Sequence, residues 1–340
     1  MKTAIVLFNL GGPDSGAAIR PFLFNLFNDP AIITLPHPLR WMIARLISGR
    51  RAPVAARIYS HMGGRSPIVP ETEAQARALE SELAGDTGEY RAFIAMRYWH
   101  PFAAEAARQI KAWGADRVLL LPLYPQFSTT TTGSSLTDWR RAAAKAGLTT
   151  PTTAVGCYFD EPDFISAHVG MIRRHLDGVN NPRILFSAHG LPEKFVRGGD
   201  PYQWQVEQTV AAIMARLGND LDHVICYQSR VGPMAWIGPS TDAEVQRAGR
   251  DGRSIVLVPV AFVSEHSETL VELDIEYGNL AKEHGVATYR RVPALGVEPL
   301  FIRSLAAQVR RGRDAADGEV SSAASRQCPQ EFGRCICRGT

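Results

Sequence analysis

Short, nearly unbroken apolar runs alternate along this chain with longer stretches in which apolar residues return every three or four positions. The runs at 3–9, 93–96, 117–123, 183–187, 223–227 and 255–262 read as strands buried on both faces, because a strand with one wet face would alternate apolar and polar side chains. Helical spacing marks 70–83 as a surface helix and 103–113 as the link between two strands. Strand, helix, strand in that order predicts a parallel sheet, and its recurrence in both halves predicts two similarly wound α/β domains. No repeat period accompanies the recurrence, so the likeness is one of topology.

The stretch 36–51 stands apart, with Leu39, Trp41, Met42, Ile43, Leu46 and Ile47 interleaved with Arg40, Arg45, Arg50 and Arg51. Two readings stay open: an ordinary helix packed on a core, or an apolar lip with a basic rim suited to an amphipathic ligand or a membrane surface.

In open parallel sheets, ligands bind where strands end and helices begin, so the strand ends hold the candidate chemistry. The first strand runs into Gly11-Gly12-Pro13; Gly11 and Gly16 have phosphate-loop spacing, but Ala17 and Ala18 stand where Lys and Ser or Thr are needed. Nucleotide binding is therefore rejected at this loop, and the absence of a dinucleotide fingerprint after any strand weakens a dinucleotide reading as well. Residues 128–135 after Tyr124 carry more hydroxyls than a helix cap requires. The run at 183–187 delivers His189 in a Gly-Leu-Pro turn, and 223–227 ends in Gln228-Ser229-Arg230-Val231-Gly232-Pro233.

After 255–262 come Glu265, His266, Glu268, Glu272 and Glu276. Carboxylates four apart on a helix drift only about 40° per step, so they stack and repel unless a cation lies among them. Imidazole and carboxylates at neighbouring strand ends suit a divalent metal of borderline hardness, such as Fe²⁺ or Zn²⁺, and imidazole is the natural base near neutral pH.

Composition narrows the setting. With 340 residues the chain is long enough for two domains, and 45% hydrophobic and 21% charged residues describe a soluble globular protein. A net charge of +3, with Lys and Arg scattered, gives no footprint for nucleic acid. No apolar stretch approaches the ~20 residues of a membrane span, and the N-terminal run lacks a cleavage site, so a cytoplasmic protein is expected. Of five cysteines, Cys226 lies inside an apolar strand and reads as core, whereas Cys328, Cys335 and Cys337 crowd the C-terminus. In a reducing compartment that favours metal ligation over disulfides.

Seven motifs carry a resemblance to the ferrochelatases: NLGGP at 9–13, GGRSPI at 63–68, MRYWHP at 96–101, LYPQFSTTTTGSS at 123–135, FSAHGLP at 186–192, YQSRVGPMAWIGPST at 227–241 and FVSEHSETLVELD at 262–274. The resemblance implies a lyase that inserts Fe²⁺ into protoporphyrin IX with release of two protons, and leaves coproporphyrin III as an alternative. It also implies two doubly wound, Rossmann-like chelatase-type domains with parallel four-stranded sheets. These would be an N-terminal domain over 1–157 with the porphyrin lip, a second over 158–310 with the histidine and acidic helix, and a tail over 311–340, with porphyrin held in the cleft between the domains. A two-lobed tetrapyrrole- or metal-binding protein without activity is the rival from another class.

Residue by residue, the resemblance makes His189 and Glu268 the catalytic pair, with Glu272 and Glu276 joining them on a metal or proton path along a widened helix. Leu10, Arg51, Tyr59, Ser66, Arg97, Tyr98 and Tyr124 match porphyrin-pocket and lip positions, while Val54 departs from the second basic residue of animal relatives. Thr129 stands where those relatives place a cluster cysteine; some bacterial members instead combine the tail spacing with a mid-chain cysteine. That implies a [2Fe–2S] cluster on Cys157, Cys328, Cys335 and Cys337. Peripheral contact with the inner membrane and an iron-donor protein are further expectations, and the oligomeric state is left open.

Overall fold

The computed structural model describes residues 1–218, 220–230, 234–315, 318–321 and 326–337. Val231, Gly232 and Pro233, in the turn expected after the fifth apolar run, lie outside the described residues. The described strands are β1 (Lys2–Asn9), β2 (Glu89–Met96), β3 (Arg117–Pro122), β4 (Thr152–Cys157), β5 (Pro182–His189), β6 (His223–Gln228), β7 (Ser254–Pro259), β8 (Tyr289–Arg291) and β9 (Gly318–Ser321). They form two sheets in two compact units.

The first unit comprises Met1–Tyr124, Ser128–Gly156 and Leu305–Val320. Its sheet has the order β2-β1-β3-β4-β9, and β1 is paired in parallel on both sides, Val6 facing Phe93 across one ladder and Leu120 across the other. Helices on both faces of such a strand leave no wet side, and Ala4, Ile5, Val6 and Leu7 are accordingly sealed. The four parallel strands match expectation. β9 is an addition at the edge, from a segment whose polar, small-residue composition announces no strand. β2 starts four residues before the apolar run because its first half alternates exposed and half-buried positions.

The helix expected at 36–51 extends over His37–Ser60. Only Ala44, Ser48 and Tyr59 are buried on it, a stripe too narrow for a core helix, while Leu39, Trp41, Met42, Leu46 and Val54 are exposed. Of the two readings for this stretch, the core-packed helix does not hold.

The second unit holds Pro125–Phe127, Cys157–Ser304 and the segment beginning at Ser321. Its sheet runs β6-β5-β7-β8, all parallel, with Ile184, Leu185, Phe186 and Ala188 of β5 sealed at its centre. The register sets His189 beside Gln228, and Ser187 beside Pro259. The last turns of helix Pro299–Asp314 belong to the first unit, although 305–310 was expected in the second domain. Arg310 pairs with both oxygens of Asp86 at 2.8 and 3.1 Å, and the Arg117 guanidinium donates to the carbonyls of Gly312, Arg313 and Ala315. Those contacts hold the end of this helix to the sheet carrying Arg117.

Candidate active site and thiol cluster

The register of β5 against β6 and β7 fixes where His189 emerges, and the next residue cannot be anything but glycine: a Cβ on Gly190 would lie 2.8 Å from the Gln228 carbonyl oxygen. The backbone of His189 is held further by Tyr202, whose hydroxyl donates to the His189 carbonyl at 3.1 Å. Its Nδ1 lies 3.0 Å from Glu268 Oε2, while Nε2 has no hydrogen-bond partner among the described residues. A second imidazole, that of His266, places Nε2 3.8 Å from the same oxygen.

Electrostatics separates the two histidines. Burial disfavours the charged form of both, and at His266 it prevails, lowering the pKa. At His189 the adjacent Glu268 carboxylate outweighs burial and raises it, while His189 in turn overcomes the cost of burying Glu268 and holds that carboxyl down at about 2. Each partner thus favours the charged form of the other, imidazolium beside carboxylate.

Glu268 opens a π-helix, Glu268–Glu276, in which the Tyr277 amide reaches five residues back to the Glu272 carbonyl. This is the widened helix that the resemblance implied. Glu272 is saturated: Oε1 accepts from the Ser229 amide at 2.8 Å and Tyr277 hydroxyl at 3.1 Å, and Oε2 from the Ser229 hydroxyl and from Gln228 Nε2 at 3.2 Å. Burial and the nearby Glu268 charge raise its pKa despite those donors. Ser229 adopts a left-handed φ of 59°, uncommon for a residue with a Cβ and typical of functional turns. Glu276 is exposed, and Glu265 turns away to pair with Arg291 at 2.8 Å. The row of four stacked carboxylates thus resolves into one paired, one saturated, one exposed and one structural. Among the described residues no group of three or more His, Cys, Asp or Glu side chains is set to hold a metal ion. Of the four residues expected to share metal, the structure brings only His189 and Glu268 into direct contact.

In the first unit, Leu10, Tyr59 and Tyr98 pack into one apolar cluster with Phe22 and Leu23. Tyr59 and Ser66 are buried, and the Ser66 amide donates to the carbonyl of Pro13, far from it in the chain. Arg51 is exposed, its guanidinium 6.0 Å from the Phe27 ring. Tyr124 is half-buried, and burial raises the pKa of its hydroxyl well above the usual tyrosine range. Arg97 and Tyr98 share a partner that sequence reasoning missed: Asp29 Oδ2 accepts from Arg97 at 2.9 Å, from the Tyr98 hydroxyl at 2.8 Å and from Ser134. Its only sequence mark is the Asn-Asp-Pro turn signal.

The four expected cysteines meet. Contacts link Cys328 to Cys335, Cys335 to Cys337 and Cys337 to Cys157. Cys157, Cys328 and Cys337 are buried; Cys157 and Cys337 share an apolar cluster with Phe127 and Phe159, against which Trp204 and Cys335 pack. Arg326 gathers the tail by donating to the carbonyls of Cys328, Pro329 and Phe332 at 2.8–3.0 Å, and the Arg334 amide anchors it to the Gly199 carbonyl. The neighbouring thiols of Cys328 and Cys337 push the Cys335 thiol well below the usual cysteine range. Soft, buried thiols touching in series fit an iron–sulfur cluster, which spreads its ligands over more than one iron.

Comparison with known proteins adds three findings. A family model described as Ferrochelatase matches residues 2–313. Ferrochelatase of Caulobacter vibrioides (strain NA1000 / CB15N) is 55% identical over 342 residues, covering 99% of this chain and 98% of that one, and Ferrochelatase of Pelagibacter ubique (strain HTCC1062) is 47% identical over 340 residues, covering 99% of each. SirB from Bacillus subtilis with Fe³⁺ aligns with a TM-score of 0.54 at 15% identity over 92% of this chain and 96% of that chain, which bears on the fold alone.

Proposed function

Because the chain belongs to the ferrochelatase family, porphyrin metal chelatases of the lyase class that insert Fe²⁺ on the way to haem, we propose that His189 and Glu268 are its catalytic pair. Insertion releases both pyrrole N–H protons, so the site needs a base. Glu268 retains the proton on Nδ1 of His189, which leaves Nε2 as the atom that loses its proton to solvent and then accepts one from the macrocycle. Glu272, inclined to hold a proton, takes the second by way of Glu268. The 3.0 Å contact between Nδ1 and Glu268 supports this reading above all. His189→Ala is expected to retain the fold by circular dichroism and to lose at least about 10²-fold in insertion rate; near-normal turnover refutes the assignment.

Protoporphyrin IX is the preferred substrate in this reading, because the groove lined by Arg20, Trp41, Met42, Arg45, Leu46 and Arg50 exposes mainly apolar surface, which suits the porphyrin with fewer carboxylates. Coproporphyrin III, with four carboxylates in place of two, remains the alternative, and kcat/KM with each porphyrin decides. The same exposed side chains on helix His37–Ser60 support a cytoplasmic protein resting peripherally on the inner membrane; among the described residues no helix is long and apolar enough to cross one. Cys157, Cys328, Cys335 and Cys337 would hold a [2Fe–2S] cluster, which when bound supplies one-electron redox capacity and ties the tail to the second unit.

A further inference from the structure

Gln205 lies on helix Tyr202–Leu217 and is completely buried. Its side-chain oxygen accepts from the Phe127 amide at 2.7 Å, and its Nε2 lies 3.1 Å from the sulfur of Cys328. The backbone amide of Phe127 can only donate, so it fixes which end of the Gln205 side chain is oxygen. The other end, which can only donate, must then face the thiol. One turn on, the Thr209 hydroxyl donates to the backbone carbonyl of Gln205 at 2.9 Å, within the helix that carries the side chain.

We propose that Gln205 is the hydrogen-bond donor that sets the reduction potential of the cluster through Cys328, an inference resting on the cluster reading above. A buried N–H aimed at a ligand sulfur stabilises the electron-richer, reduced cluster more than the oxidised one, and hydrogen bonds to sulfur are among the main determinants of such potentials. Gln205 is thus a positioning residue, with no contact to the reacting atoms. No chemical step is added to insertion; the electron taken up or given by the cluster stays a one-electron exchange with an external donor or acceptor.

The test uses full-length protein purified without air, as wild type, Gln205→Leu and Gln205→Glu. Leucine removes both hydrogen bonds, whereas glutamate keeps an acceptor for Phe127 and, when ionised, sets a negative charge in place of the donor to Cys328. Iron and sulfide content and visible absorption establish first whether the wild type carries a cluster; without one, the cluster reading fails and this inference with it. Given a cluster, redox titration by electron paramagnetic resonance is expected to show a lower midpoint potential in both variants. At the wild-type midpoint the reduced-to-oxidised ratio should fall about tenfold, 59 mV for a one-electron couple. Retained iron with unchanged midpoint and g-values in both variants overturns the proposal while leaving the cluster reading intact. Loss of iron from both would make Gln205 a structural support and overturn it equally.

Discussion

Replacing Glu268 by glutamine isolates the interaction on which the proposed mechanism depends. The shape of the side chain is kept and its charge removed. Two unit charges 3.0 Å apart attract by about 1.4 kcal/mol in water and about 5.5 kcal/mol at an effective dielectric of 20. The His189 side chain is 43% exposed and that of Glu268 27%, so solvent screening places the pair near the lower bound. We take about 1–2 kcal/mol, a five- to thirtyfold change in the ratio of imidazolium to imidazole. In the native protein the raised His189 pKa means that the neutral base appears only as pH climbs past the ordinary histidine range. Insertion rate should therefore rise with pH on a limb above about 6.5. In Glu268→Gln that attraction is gone and burial is opposed only by the weaker pull of Glu272, so the limb moves to lower pH even though its plateau falls. Initial rates with anaerobic ferrous iron across pH, paired with a nuclear magnetic resonance titration of the His189 imidazole, measure both. A limb that stays in place, or moves to higher pH, refutes the reasoning. For stability the signs combine: the histidine contribution is complete below 6.5 and lost as pH rises through the raised value, and the Glu268 contribution is complete above 4.5 and lost as pH falls toward about 2. The pair thus stabilises fully between 4.5 and 6.5.

Three further outcomes are expected. Asp29→Ala strands the Arg97 guanidinium, only 18% exposed, without its counter-charge, and should cost about 3–5 kcal/mol in urea unfolding; a loss below about 1 kcal/mol would show that solvent already satisfies Arg97. Cys335→Ser should yield colourless protein without the iron or sulfide of the wild type, and retained visible absorption would remove Cys335 from the ligand set. Liposomes of anionic lipid should float the wild type and release it when Trp41 and Met42 are both replaced by serine, with equal flotation of the two counting against a membrane-facing role for that helix.

How much of this was legible beforehand depended on whether the signal was local. The buried strands announced themselves because a strand sealed on both faces must be apolar throughout, as in Ile5–Val6–Leu7. The strand ends were likewise readable, since Gly190 tolerates no Cβ and leaves a mark that a turn signal reveals. Edge features lacked such a mark: the first half of β2 alternates, and β9 is built from Gly, Glu, Val and Ser. Charge patterning misled in one respect. Spacing alone made Glu265 and Glu276 equivalent to Glu268, but spacing cannot know that Arg291 arrives from β8 to claim Glu265.

The same limit explains the partners that went unnoticed. Asp29, Tyr202, Gln205 and Ser229 act on groups 13 to 123 residues away in the chain, and none sits in a sequence pattern that requires it. A polar side chain is recruited wherever folding would otherwise bury a donor or acceptor unpaired, because the cost of leaving one unmet, about 1–3 kcal/mol, exceeds what most surface contacts contribute. Glu272 makes the point most plainly. On sequence it is one more acidic residue of a helix; in the fold its oxygens accept four hydrogen bonds, two of them from a serine held at a left-handed φ. Saturation of that kind leaves little affinity for a resident metal, and what inclines Glu272 to hold a proton is its burial and the charge of Glu268, against the pull of its donors. The residue beside it, Glu268, keeps its charge because His189 is there to meet it. Two carboxylates one helical turn apart are thereby driven to opposite protonation preferences, which is the separation an acid–base site needs near neutral pH.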